Sequence, residues 1–449
     1  MEYIPKTPDE EQKMLEAIGV ASFEDLLEIP EAFRLKAPLD LPAPLSQMAL
    51  KREMLALSRK NRDTTTMLSF LGGGSYDHFI PSTVDHVLSR SEFYTAYTPY
   101  QAELSQGLLQ TIYEYQTMIC QLTGMEVAGA SLYDGASALA EAALMAIRIT
   151  KRGKILVAQS VHPHHRQVIA TYLSGLPGAS LEEIPFENGR VSLEALDRQT
   201  DENTAAVLIQ HPNFFGQLEE MDEIETMTHA KGALLVMSVD PISLGLLKTP
   251  GEFNADIAVG EGQGMGNAQS FGGPYMGFFA TRKKMIRQLP GRIVGATTDA
   301  AGRGGFCLTL QTREQHIKRE RATSNICTNQ ALNALAAAVY LATVGKQGLK
   351  EVAGLCLMNA HAAKEKITAL PGFSAPFDSP FFKEFVIKTT QPAAAILAAL
   401  FERGIFGGID LGKYDPALEN HLLICMTEKH TEEDIDRLVE GLARASDVG

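Results

Sequence analysis

The sequence predicts an α/β protein with a mostly parallel sheet in a large domain and a smaller α+β domain at its C-terminal end. Two observations point to it. From about residue 68 short apolar runs bounded by turns alternate with amphipathic helical stretches, the rhythm of βαβ units with helices on both sheet faces. A chain of 449 residues also exceeds one compact core, which favours one large plus one smaller domain.

The elements follow in order. Thr7-Pro8-Asp9-Glu10 is a capping box with Pro at the first helical position. Ser22 to Asp25 opens a second short helix ending before Pro30, and Ser46 to Lys60 reads as a third after a proline-punctuated stretch. Residues 1–65 are therefore expected to form a helical arm. Strands are expected at Ile155–Gln159, Ala205–Gln210, Ala233–Val239, Ala255–Val259 and Gly277–Thr281, with helices such as Pro163–Ser174 and Met221–Lys231 between them. These place the large domain over residues 66–330. The alanine-rich stretch Thr328 to Thr343 reads as a helix leading out of it. The linking helix and an α+β unit fill 331–449, closed by a helix that starts at Thr431 with acids in its first turn.

Composition narrows the function. Hydrophobic residues at 45% and charged residues at 21% are those of a globular protein, and a net charge of −14 disfavours nucleic acid as a partner. Neither a signal peptide nor a membrane-spanning run is expected. The five cysteines are scattered, with no C-x-x-C pair, so reduced thiols in the cytoplasm and no zinc site are expected.

Four features carry candidate chemistry. Asp134-Gly135-Ala136-Ser137 precedes the helix-like run Ala138–Ile147, where amides and a hydroxyl such as that of Ser137 make an anion cradle or an ordinary helix start. His162, in the His-Pro-His-His sequence after a strand, is a candidate ring stacker or a loop residue; no carboxylate or cysteine set accompanies it for a metal. Asp240 ends a strand, where ligands bind in open α/β sheets, although a loop anchor has the same look. The glycine-dense loop Gly260–Gly266 comes next, without the G-x-G-x-x-G or P-loop spacing. Together they form the series of a pyridoxal-phosphate scaffold: phosphate loop, ring stacker, acid for a pyridinium nitrogen, and a loop that normally carries the Schiff-base lysine. Gln263 stands at that last point, and an amide forms no imine.

Five ordered motifs resemble the glycine decarboxylase family, the pyridoxal-phosphate component of the glycine cleavage system. They are Phe70 to Tyr76, Tyr97 to Gly107, Pro212 to Gly216, Leu289 to Arg292 with Leu310 to His316, and Arg321 to Thr328. The resemblance implies the type I, aspartate-aminotransferase-like fold. In some bacteria the family divides this protein into two chains, and the sequence is similar to the α chain (subunit 1), whose members lack the lysine. Pyridoxal phosphate is then held by subunit 2, the β chain, in an αβ or α2β2 assembly. The implied reaction decarboxylates glycine and passes the aminomethyl group to the lipoyl arm of H protein. Tyr97, Thr98, Tyr100 and Gln101 are the implied substrate-side contribution to the partner's site, with interface packing as the alternative. Thr323, Ser324 and Asn325 are the implied reach to the partner's cofactor phosphate, with helix capping as the alternative. Ser137, His162, Asp240 and Gln263 would line a vestigial pocket. A self-sufficient enzyme using another lysine, Lys248 first, and a non-catalytic scaffold are the competing readings.

Overall fold

A computed structural model describes residues 6–35, 37 and 39–446; Met1 to Pro5, on which the expected lack of a leader partly rests, lie outside them. The chain divides into two compact units, Met1–Arg62 and Asp63–Gly449.

In the first unit Thr7 closes its capping box on Glu10 at the head of the helix Pro8–Ile18, and Ser46 caps Gln47–Ser58. The segment begun by Ser22 is a short 3-10 turn, Phe23–Leu26. None of these elements buries a residue.

The second unit is organised by a seven-stranded sheet. Its strands in chain order are β1 (Val127–Ala128), β2 (Lys154–Ala158), β3 (Ser180–Ile184), β4 (Thr204–His211), β5 (Leu234–Val239), β6 (Ile257–Glu261) and β7 (Gly277–Thr281), arranged β1-β7-β6-β5-β4-β2-β3. The β7 strand runs antiparallel to both its neighbours and the other pairings are parallel. Central strands such as β4 and β5 are buried almost throughout because both faces are covered, and their middles are apolar. The helix Gly135–Thr150 packs seven buried alanine, leucine and methionine residues into this core, and its small side chains allow a close approach to the sheet.

The expected strands lie within two residues of the observed ones, and Pro163–Ser174 is a helix over its expected length. Two strands of the seven-stranded sheet have no counterpart in the sequence reading. The β1 strand has only two residues, and β3 carries Glu182 and Glu183 at the sheet edge, where polar residues are tolerated. The alanine-rich helix is longer than expected, running Ala331–Thr368 across a kink at Gly345, whose φ of 62° and ψ of −177° belong to glycine.

Beyond it a four-stranded antiparallel sheet is ordered Phe373–Ser374, Glu384–Thr389, His421–Cys425, Ile409–Asp410. It packs with the helices Ala393–Phe401 and Glu432–Ser446 around a second core that includes Phe385, Ile396 and Leu438. Leu68–Ser69 pairs in parallel with Ile405–Phe406, so Gly72–His78 runs from this second core towards the carboxyl ends of β5 and β6. That crossing segment positions the site.

Candidate functional site

Asp240 follows β5, and Gln263 follows β6 in a glycine-rich turn. Gln263 bonds to the crossing segment, and Asp240 borders the same cavity as Gly74 and Tyr76 of that segment. Gln263 is 2% exposed, and its side chain is fully engaged. Its Oε1 accepts from the Tyr76 N–H at 2.8 Å, while its Nε2 donates to the carbonyls of Tyr76 at 3.0 Å and Asn267 at 2.8 Å. The amide thus acts as a two-sided splint between the β6 loop and the crossing segment.

A lysine does enter this pocket, from a position the sequence reading passed over. Lys383, also 2% exposed, precedes the strand Glu384–Thr389, and its Nζ lies 2.8 Å from Asp240 Oδ2. The same ammonium is 3.1 Å from His78 Nε2 and 3.4 Å from the centroid of the Tyr76 ring. Burial opposes its charge, but Asp240 with Cys425 and Cys356 outweighs burial and holds its pKa above the ordinary lysine value. Next to it, Glu384 accepts from the Gly73 N–H at 2.6 Å and the Tyr76 hydroxyl at 2.8 Å. Burial raises its carboxyl to about 6. One sequence signal marked these residues: Lys383 and Glu384 are two adjacent charges inside the apolar run Phe381 to Ile387.

The candidate anion cradle is filled from within. At the head of the helix Gly135–Thr150, Asp134 Oδ1 accepts from the Ser137 N–H at 2.7 Å, and Ser137 Oγ accepts in return from the Asp134 N–H at 3.2 Å. Glu261 Oε2 takes the Gly135 N–H at 2.9 Å, and its Oε1 takes those of Gln263 and Met276, both at 3.1 Å. Burial pushes the Glu261 carboxyl up to about 8, against the pull of these amides.

His162 caps the next helix, accepting at Nδ1 from the His164 N–H, and its Nε2 lies 2.8 Å from the Gly73 carbonyl. Its ring stacks on His165 with centroids 4.7 Å apart. Burial drives both imidazoles down, His162 to about 3 and His165 to about 4, so both are neutral at pH 7. His162, His165, Asp240, Glu261, Lys383 and Glu384 border a cavity of about 40 Å³, enough for water.

The other candidates lie elsewhere. Tyr97 is 82% exposed, Tyr100 and Gln101 are also exposed, and Thr98 is half-buried. Tyr100 is anchored by its ring edge on His316, at 5.4 Å between centroids, and by its hydroxyl, 3.4 Å from Arg292 Nη2. Arg292 is buried and donates to the Cys327 carbonyl at 2.6 Å and to Asn329 Oδ1 at 3.0 Å. Thr323, Ser324 and Asn325 line a separate cleft of about 500 Å³ with Tyr133, Glu141 and Arg148, and the next helix starts only at Ala331. Lys248 is exposed, 3.4 Å from Asp222, and does not border the 40 Å³ cavity.

Among the described residues His78, Cys356 and Glu428 bring possible ligand atoms within 4.8 Å of one another. The Lys383 ammonium lies 3.1 Å from the other ring nitrogen of His78, and burial followed by Lys383 lowers the pKa of His78. The Glu428 carboxylate sits 2.7 Å from His78 Nδ1, which makes this a hydrogen-bonded relay beside a fixed cation. No helix among the described residues is long and apolar enough to cross a membrane.

A family model described as glycine cleavage system P-protein matches residues 1–442. The chain belongs to the P-protein family. It is 55% identical over 443 residues to a probable glycine dehydrogenase (decarboxylating) subunit 1 from Carboxydothermus hydrogenoformans, covering 98% of this chain and 99% of the relative. A protein of the same description from Desulfitobacterium hafniense is 55% identical over 444 residues, with the same coverage. A crystal structure of glycine decarboxylase (P-protein) in inhibitor-bound form superposes with a TM-score of 0.91 at 45% identity, over 99% of this chain and 100% of that one. Sphingosine-1-phosphate lyase from Burkholderia pseudomallei, at 15% identity, 93% and 94% coverage and a TM-score of 0.65, shares the fold alone. That fold is the type I fold of pyridoxal-phosphate enzymes.

The pocket of this P-protein chain does not fit the cofactor that its fold family implies. Gln263, at the expected amine position, is a hydrogen-bonded amide; Asp240, the expected acid for a ring nitrogen, is paired with a lysine; and carboxyl groups hold the helix-head amides.

Proposed function

We propose that this chain is the lysine-free subunit of a two-chain glycine decarboxylase. Paired with a lysine-bearing β chain that holds pyridoxal phosphate, it takes part in glycine decarboxylation and transfer of the aminomethyl group to the lipoyl arm of H protein. The observation that carries the proposal is Gln263, buried and bonded three times at the family's lysine position in a chain that otherwise matches the P-protein family.

The work of this chain is then at its neighbour's site. Tyr97 to Gln101 offer hydroxyls and an amide on a turn stiffened by Pro99, and Tyr100 is moored to the buried Arg292 while Tyr97 points outward. Such groups can orient the carboxylate and ammonium of a small zwitterion and exclude water around it. Thr323 to Asn325 supply two hydroxyls and an amide on a loop suited to a neighbour's phosphate. The assembly, αβ or α2β2, is cytoplasmic in this reading.

The test is reconstitution. Alone, the chain should give no glycine-dependent bicarbonate exchange, and adding the lysine-bearing chain from the same source should restore it. Full exchange by the isolated chain refutes the proposal.

A further inference from the structure

We propose that this chain fills its own cofactor pocket: Lys383 stands at Asp240 in place of a pyridinium nitrogen, and Glu261 stands on the Gly135 helix in place of a phosphate. Exclusion of pyridoxal phosphate is then built into a buried ammonium and a buried carboxyl group and does not depend on the missing lysine. The inference rests on the family reading of the pocket given above.

The cation end is the clearer one. Pyridoxal-phosphate enzymes use an acid to pair with the protonated ring nitrogen. Here that acid, Asp240, is 2.8 Å from the Lys383 ammonium. The two further contacts of that ammonium, His78 at 3.1 Å and the Tyr76 ring face at 3.4 Å, hold it in place. An entering pyridinium would meet a like charge in a site where burial strengthens repulsion. Lys383 is no substitute nucleophile, because its amine is held at the acid end of the pocket and its charge is fixed by Asp240.

The anion end is closed by the same logic. A helix head binds phosphate through free first-turn amides and its dipole. The Gly135 amide is taken by Glu261 Oε2 at 2.9 Å and the Ser137 amide by Asp134 Oδ1 at 2.7 Å. A phosphate would meet two carboxyl groups and no vacant donor at either amide. Between the two ends about 40 Å³ remains, against the roughly 300 Å³ or more that small-molecule pockets provide.

The pair also joins the two cores. Lys383 and Glu384 come from the C-terminal sheet, Asp240 and Glu261 from the large one, and Tyr76 and Gly73 of the crossing segment lie between them. The residues that fill the pocket thereby hold the C-terminal sheet on the large domain.

Pyridoxamine 5′-phosphate needs no lysine and is the direct probe. The full-length wild-type chain should retain none after gel filtration. In the complex with the lysine-bearing chain, one cofactor per pair of unlike chains is expected. Incubated with pyridoxal 5′-phosphate instead, Gln263→Lys alone should yield no borohydride-reducible pyridoxyl adduct at position 263. Gln263→Lys combined with Lys383→Ala and Glu261→Ala should yield the adduct with pyridoxal 5′-phosphate and should retain the pyridoxamine probe through gel filtration, where the wild type loses it, because the buried cation and the carboxyl that close the pocket are gone. Stoichiometric retention by the wild-type chain, two cofactors per pair, an adduct in Gln263→Lys alone, or an adduct on Lys383 would each overturn the proposal. So would a folded triple variant that takes up no cofactor. Should that variant not fold, wild-type retention and the single Gln263→Lys variant decide the matter. Cofactor on this chain in a complex that performs the exchange defeats this inference and spares the functional reading; an inactive complex whose chain still excludes the probe does the reverse.

Discussion

Lys383 and Gln263 do at residue scale what a cofactor and its lysine do in relatives of this fold, and each has a measurable cost. Lys383→Met removes a buried cation and leaves Asp240 unpaired, so it should destabilise the chain by about 3–5 kcal/mol. Adding Asp240→Leu should restore much of that loss, because the penalty is the stranded charge. Urea denaturation of both variants checks this, and equal losses in the single and double variants would contradict it. Gln263→Leu keeps the volume but strands the Tyr76 N–H and the carbonyls of Tyr76 and Asn267. A loss of about 1–3 kcal/mol in the same assay is expected.

At the scale of elements, the exposed turn Tyr97–Gln101 and the kinked helix Ala331–Thr368 make opposite predictions. Tyr97 is 82% exposed, so Tyr97→Ala should leave the isolated chain's stability within about 0.5 kcal/mol. In the assembled complex the same substitution should lower kcat/KM for glycine by about 10–100-fold if the residue orients substrate. Unchanged turnover would assign the turn to packing alone. Gly345 acts within the chain. Its φ of 62° with ψ of −177° is closed to other residues, so Gly345→Ala should cost about 1–3 kcal/mol, read as a shift in the urea midpoint. The sequence reading ended this helix at Thr343, just before that glycine. It could not show that the helix resumes, because resumption depends on packing of residues such as Leu349, Ala353 and Cys356 against the core.

For the whole molecule, buried titratable groups set the pH dependence of stability. Burial lowers His162 to about 3 and His165 and His211 to about 4. Groups depressed in this way stabilise the fold above the ordinary histidine value of about 6.5, and that stability is lost as pH falls towards the folded values, at about 1.4 kcal/mol per pH unit for each. Glu384 at about 6 and Glu261 at about 8 act in the opposite sense, because a raised carboxyl loses its contribution as pH rises through the folded value. Glu141, Glu219 and Glu314 are raised by burial in the same sense, and burial lowers His78 alongside the other three histidines. Through the lowered histidines, thermal stability should fall as pH drops below their ordinary value of about 6.5. His211→Asn should flatten the acid limb, and a plateau from pH 4 to 6.5 in differential scanning calorimetry would contradict the assignment.

The large sheet was legible because its strands are consecutive apolar runs between turns, so periodicity and turn residues place β2, β4, β5, β6 and β7 without tertiary information. The family was legible too, since motifs such as Tyr97 to Gly107 lie in one continuous stretch, and Gln263 announces itself by occupying a lysine's place. What fills the pocket was not legible in that way. Lys383 meets Asp240 across 143 residues, and the pairing exists only because the C-terminal sheet and the crossing segment converge at the ends of β5 and β6. Sequence determines which residues lack a partner locally; only the fold decides which distant charge satisfies them, since a buried charge must find its counter-ion in space, not along the chain.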